Sequence, residues 1–79
     1  MFEKFIKENI EKDLNNFVSF VELRRRYLSF CKFNNIEPVS RHKFGFDLSK
    51  HDVGMPGQKY LDHRLKHGRH NVRLLPCKY

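Results

Sequence analysis

Seventy-nine residues allow one small domain, and a formal net charge of +7 at pH 7 is large for so short a chain. A chain this size buries only a modest core, so its stability must come from a few large apolar side chains, and eight Phe with three Tyr supply them. No run of about 18 apolar residues could span a bilayer, and no signal-peptide apolar stretch follows the charged N-terminus. Two cysteines, Cys31 and Cys77, are too few for a disulfide framework and are expected as free thiols in the reducing interior of a cell, cytoplasm or nucleus.

The first element is a helix over residues 2–10, where Phe2, Phe5, Ile6, Asn9 and Ile10 share a face at helical spacing. Residues 11–16, Glu-Lys-Asp-Leu-Asn-Asn, break that period and read as a loop, and Phe17 and Val18 as a short extended piece. Ser19 stands three residues before Glu22, a capping-box pattern that opens a second helix running to about Asn34. Phe20, Leu23, Tyr27, Phe30 and Cys31 line one stripe of it, which is a core stripe, with Cys31 as a small packed apolar residue. Of Arg24, Arg25 and Arg26, the first flanks the stripe, and the other two are expected in solvent.

Asn34 to Val39 forms a turn into a third helix. Ser40 caps it, and Pro38 discourages any run-through from the second helix. Wound at about 100° per residue, Phe44 and Leu48 fall on one side with Arg41 and His51 at its margins. His42, Lys43, Phe46, Ser49 and Lys50 fall on the other. One face can therefore enter a core while the opposite face offers cationic and polar groups with one aromatic, a pattern suited to nucleic-acid phosphates. A solvated basic helix is the bland alternative.

Gly54, Pro56 and Gly57 punctuate a loop. Residues 58–65 read as a strand, Lys66-His67-Gly68-Arg69 as a basic hairpin tip, and residues 70–75 as the returning strand, ended by Pro76. The expected fold class is α+β: a single winged helix-turn-helix over residues 1–79, with three helices followed by a β-hairpin wing. A rival reading makes residues 58–67 a fourth helix, placing His63 and His67 four apart with His70 and Cys77 nearby, but no tight chelating pair supports a metal there. No cofactor is expected. Neither a P-loop nor a dinucleotide fingerprint is present, and no nucleophile has a positioned base, so no enzyme activity is expected either.

Charge sharpens the functional expectation. Residues 1–39 hold seven Lys/Arg and six Asp/Glu, whereas residues 40–79 hold nine and three, together with all five His. That asymmetry points to a polyanion-facing half, with DNA the leading partner and no membrane partner, since no long amphipathic helix is present. Arg41, Lys43, Lys50, Lys66 and Arg69 are the candidate phosphate contacts. His42, Phe46 and Ser49 are placed to meet base edges or a stacked base. Double-stranded DNA is favoured, and exposed aromatics among cations would also suit single strands. The alternative class is a protein-interaction or dimerisation module, with Phe33 and Phe46 as contact aromatics.

The order Leu23-x-x-x-Tyr27-x-x-Phe30-Cys31, then Pro38, then Ser40-x-x-x-Phe44-Gly45-x-x-Leu48 resembles the winged-helix domain at the C-terminus of phage, plasmid and poxvirus-type primase-helicases. It is also similar to the DNA-binding domain of the regulatory-factor-X proteins, in which Gly57-Gln58-x-Tyr60 has a loose counterpart. The resemblance covers residues 2–75 and rests mostly on packing residues, with Phe44-Gly45 after the Ser40 cap its sharpest part. It implies origin or promoter binding through the third helix and the wing, in replication initiation or transcription control of a virus or mobile element. It also implies a homodimer or a parent helicase assembly as partner. The chain departs from it at Asp52-Val53-Gly54-Met55, where the regulatory-factor-X type has an arginine-rich wing entry. No ATPase or primase segment accompanies the domain, so the chain reads as a piece of a larger protein or as a free-standing one.

Overall fold

Helix α1 spans Phe2–Asn9 in a computed structural model that describes every residue from Met1 to Tyr79. It ends on a fully buried asparagine. Asn9 Nδ2 donates to the Phe5 carbonyl (2.9 Å), satisfying one of the open carbonyls of the last turn, and to the Tyr79 hydroxyl (2.8 Å). Arg26 Nη1 donates to Asn9 Oδ1 (3.3 Å) and to the Leu75 carbonyl (2.6 Å). One side chain thus joins α1, the second helix and the C-terminal segment. Arg26 was expected in solvent; it is half-buried because these acceptors draw its head group inward.

Residues 11–16 are not a loop. They belong to strand β1, Ile10–Ser19, so a strand separates the first two helices. The periodicity fails there because the strand is bulged. Ile10, Glu11 and Lys12 face Leu74, Arg73 and Val72, and pairing resumes at Phe17 with His70. The four residues between Lys12 and Phe17 therefore stand opposite a single residue, Asn71. Asn15 and Asn71 both take left-handed backbone (φ 68° and 67°), a conformation asparagine tolerates, and the Asn15 N–H donates to Asn71 Oδ1 (3.3 Å). Arg73 closes an ion pair with Glu11 across the two strands.

Helix α2, Phe20–Phe33, opens as its sequence predicts. Ser19 Oγ accepts from the Glu22 N–H (3.2 Å), and the hydroxyl donates back to Glu22 Oε1 (2.9 Å). Helix α3 spans Arg41–Lys50. Strands β2, Met55–Leu61, and β3, Arg64–Leu74, complete an antiparallel sheet in the order β1-β3-β2. The molecule is α+β, with three helices and a three-stranded sheet. No helix is long and apolar enough to cross a membrane.

The core lies between the helices and the inner sheet face: Phe5, Leu23, Tyr27, Phe30, Cys31, Phe44, Leu48, Val53 and Val72 are all buried. Its centre is aromatic. The Tyr27 and Phe44 rings stack at 4.7 Å, and Phe2, Phe5 and Phe20 pack against Phe44 at 5.5–6.2 Å between centroids. Tyr79 extends the cluster, meeting Phe30 at 6.0 Å and Phe33 at 5.2 Å. Burial raises the pKa of the Tyr79 hydroxyl. Cys31 is buried, Cys77 is exposed, and both are free thiols.

The hairpin differs from expectation at its end. Its turn is Asp62-His63, both left-handed (φ 52° and 63°), between the last pair, Leu61 and Arg64. Lys66 to Arg69 lies within β3. Gly68 is there for close approach and not for a turn. A Cβ at that position would overlap the Val18 carbonyl oxygen and sit 2.8 Å from Phe17 Cζ. The helix considered over 58–67 does not form, so His63 and His67 do not share a helical face.

Candidate nucleic-acid interface

Helix α3 is held at both ends and from behind. Ser40 Oγ accepts from the Lys43 N–H (3.2 Å), capping the first turn. The Val39 N–H just before it donates to the Tyr27 hydroxyl (3.2 Å), which ties the α2–α3 turn to the core. Burial raises the pKa of that phenol, so it stays a neutral acceptor. Phe44 and Leu48 anchor the inner face, as their spacing predicts.

Asp47 also faces inward, a placement that follows from its position between the two anchors. It is buried, and Lys43 Nζ lies 3.1 Å and 3.4 Å from its carboxylate oxygens. It is the one acid on α3. Turning it inward leaves an exposed side made of Arg41, His42, Phe46 and Lys50. Arg41 lies over the Phe20 ring at 5.6 Å, which restrains its stem while leaving the residue exposed. Phe46 is 64% exposed, with no place in the core.

The hairpin is fastened to this helix by Arg69. Only 6% of that residue is exposed. Its Nη2 donates to Ser49 Oγ (2.8 Å) and to the Gly45 carbonyl (3.2 Å). Desolvation pushes the guanidinium pKa below its usual value, yet an arginine so placed stays charged at neutral pH. Arg69 is therefore a strap between β3 and α3, and Ser49 is the residue it grips. Lys66, three positions away on the same strand, points to the opposite sheet face and stands across from Lys59. The two cations read together as a tip are thus neither at the tip nor on one face.

Of the eight candidate residues, Arg41, His42, Phe46 and Lys50 form one open surface. Lys43 shares its charge with Asp47, Ser49 is engaged by Arg69, Arg69 is internal, and Lys66 lies behind. The sequence reading passed over what stands at the hairpin end: Lys59, Tyr60 and Arg64, all exposed. The signal for them was the alternation of residues 58–61, which a turn at Asp62-His63 would have organised. A groove of about 400 Å³ runs between hairpin and helices, lined by Phe20, Pro56, Gln58, His67 and Arg69. On its hairpin wall the cross-strand partners Gln58 and His67 bring Nε2 and Nδ1 to 3.4 Å of each other.

Arg24 is a further cation at this side of the core. Its guanidinium carbon lies 5.6 Å from the Tyr27 ring centroid and 5.5 Å from that of Phe44, and its Nη1 is buried without a hydrogen-bond partner. The aromatic faces take the place of an acceptor. No protein-family model, curated protein or solved structure matches the chain.

Proposed function

We propose that this chain is a winged helix-turn-helix that binds DNA without doing chemistry, with α3 and the β2–β3 hairpin as its contact surface. On the motif resemblance, that binding would serve replication initiation or transcription control of a virus or mobile element. The observation that carries the proposal is the emptying of acid from the exposed side of α3. Asp47 is drawn into the core, and Arg41, His42 and Lys50 stay outside around an open Phe46. The element order and the strand order β1-β3-β2 support the winged arrangement, with the hairpin standing beside α3. The Arg69 strap supports treating helix and hairpin as one rigid surface. Fixed geometry suits recognition, and the surrounding cations suit phosphate.

Affinity should then be mainly electrostatic. Each neutralised phosphate releases counterions and adds about −0.9 to the log–log slope of the binding constant against salt. Contacts from the exposed Arg41 and Lys50 give a slope of about −2. A salt titration on duplex DNA measures it directly, and an affinity flat from low to physiological salt rules the account out.

A second reading has its own observation. Phe33 is 68% exposed at the end of α2, beside Tyr79, on an element that carries no part of the proposed DNA surface. A protein-interaction role would use that aromatic, and sedimentation of the free chain against a Phe33→Ser variant distinguishes it.

A further inference from the structure

The free end of the hairpin carries three cations that the α3 surface does not use. Lys59 and Lys66 stand directly across from each other, and Arg64 lies two residues from Lys66, opposite Leu61. Cross-strand partners and alternate residues share a face, so all three project from one side of the ribbon. Arg69 reaches α3 from the other side, which also holds Tyr60, Leu65 and His67. A duplex seated on Arg41 and Lys50 therefore meets the inner side of the hairpin and leaves the outer cations free.

Nothing in the chain neutralises them. Strands β2 and β3 contain no acid, and Asp62, in the turn, is the one acid after Asp52. The ion pairs of the fold, Lys43 with Asp47 and Arg73 with Glu11, lie elsewhere. Strand β1 stops pairing at Gly68, so Glu11 stays at the root of the sheet. Two lysines directly opposed repel each other and weaken a hairpin, and an anion laid between them reverses that sign.

The shape and chemistry of the face decide which anion. Toward the root the next pair is Gly57 and Gly68. A Cβ on Gly57 would stand 2.7 Å from His70 Cδ2, and one on Gly68 2.8 Å from Phe17 Cζ, so two rings lie down over the glycines. The face is thus a low floor ending in cations. Its one apolar side chain among them, Leu61, is half-buried. A protein partner or a membrane surface needs an apolar anchor, and the exposed ones, Tyr60 and Leu65, are on the other side. Duplex DNA needs none: with a charge every ~1.7 Å of axis, it offers phosphates to all three cations at once.

We infer that the outer hairpin face is a second phosphate-backbone surface, so that one chain bridges two duplex segments, one on α3 and one behind the hairpin. The first segment rests on the DNA-binding reading above.

The test titrates duplexes too short for two chains into the protein and reads the composition of the complex at excess DNA by sedimentation. The wild type should reach two duplexes per chain and should hold a labelled duplex on an immobilised one. Lys59→Glu puts a carboxylate opposite Lys66, which suits the hairpin while cancelling the patch. It should keep or raise the melting temperature, lower the ratio to one and abolish the sandwich. Lys59→Gln with Arg64→Gln and Lys66→Gln should do the same. Arg41→Gln with Lys50→Gln should also lower the ratio to one, and the duplex it keeps should show a salt slope of about −2.7, for three phosphates. One duplex per wild-type chain, bound equally well by Lys59→Glu, overturns the second surface and leaves the α3 reading standing. One duplex per chain, lost in Lys59→Glu and kept when Arg41 and Lys50 are replaced, overturns bridging and the α3 reading together. No DNA binding at all overturns both. A sandwich built by two associated chains with one duplex each overturns bridging by a single chain. Binding of polyglutamate or of phosphatidylserine vesicles that Lys59→Glu removes, with one duplex per wild-type chain, gives the face to that partner and overturns the proposal.

Discussion

Replacing Phe44 by alanine should unfold the protein or leave a loosened remnant without a cooperative thermal transition. The side chain is completely buried and touches the rest of the fold from several directions. It stacks on Tyr27 and takes the edges of Phe2, Phe5 and Phe20, so it joins α1, α2 and α3 in one cluster. Truncating a buried Phe costs about 3–5 kcal/mol, made up of lost transfer energy and the void left behind. A 79-residue chain has roughly 4–12 kcal/mol in total, at ~0.05–0.15 kcal/mol per residue. The surrounding rings are rigid and cannot collapse into the space, which places the cost toward the upper end. Removal also strips Arg24 of one of its two aromatic faces and worsens an already unpartnered donor. Phe46→Ala is the internal control: two residues along the same helix and exposed, it should move the melting temperature little. Thermal melts followed by circular dichroism give both answers. A Phe44→Ala protein that melts like the wild type would mean that α3 does not seat on this core.

The second large effect is expected at Arg69, and it separates a strap from a contact. Arg69→Ala removes two hydrogen bonds from a charged donor and leaves space between β3 and α3. Each such bond contributes about 1.5–3 kcal/mol, and relief of the buried charge offsets part of it, so a net loss of about 2–4 kcal/mol is expected. Arg69→Met should cost less, because the stem volume is kept. Ser49 is exposed and can turn to water, while the Gly45 carbonyl lies within a helical hydrogen-bond ladder. Both variants should weaken DNA binding, since hairpin and helix lose their fixed relation, but the salt slope should stay at the wild-type value. Lys50→Ala is the contrasting case: unchanged melting and a slope shallower by about one, for one lost phosphate contact. If Arg69→Met melts like the wild type and loses about one from its slope, the guanidinium leaves the protein to meet DNA, and the strap is not its role.

Much of the helical part was legible because its signals are local. Ser19 with Glu22 and Ser40 with Lys43 are caps that need only four residues to form, and Phe44 with Leu48 states an inner face without reference to the rest of the chain. The sheet was less legible because its signals are not local. Glu11 and Lys12 are strand residues only because Arg73 and Val72 lie across from them, and a bulge hides the period that would have revealed this. Gly68 shows the same limit in one residue. Glycine serves both for turns and for crowded crossings, and nothing near Gly68 in the sequence says that Phe17 will lie against it. The misplaced tip followed from that choice, and with it the pairing of Lys66 with Arg69. Asp47 and Tyr79 were missed for different reasons. The first is a charge whose burial depends on a lysine one turn earlier, and the second docks some 70 residues from its partner Asn9.

The bulge at Asn71 makes the length of β3 a coded quantity. Arg69 and Val72 are three residues apart, which in an unbroken strand would put them on opposite faces, yet a Cβ on Gly54 would touch both. The left-handed backbone at Asn71 converts one parity into the other, so the buried half of the strand and the outer half are out of phase. A deletion at position 70, with the irregularity at Asn71 kept, would turn the outer half over: Arg69 would face away from Ser49, and Lys66 would swing to the side now held by Leu65, whereas removal of Asn71 itself would leave Arg69 two residues from Val72 and in phase with it. An insertion between 71 and 69 would turn the outer half over as well. The Asp62-His63 turn lies beyond the last rung and sets no such phase, so changes of length are tolerated there. Along one hairpin, the chain is thus permissive to insertion and deletion at its end and intolerant near its root. That gradient would show directly in a scan of single-residue deletions from 60 to 73.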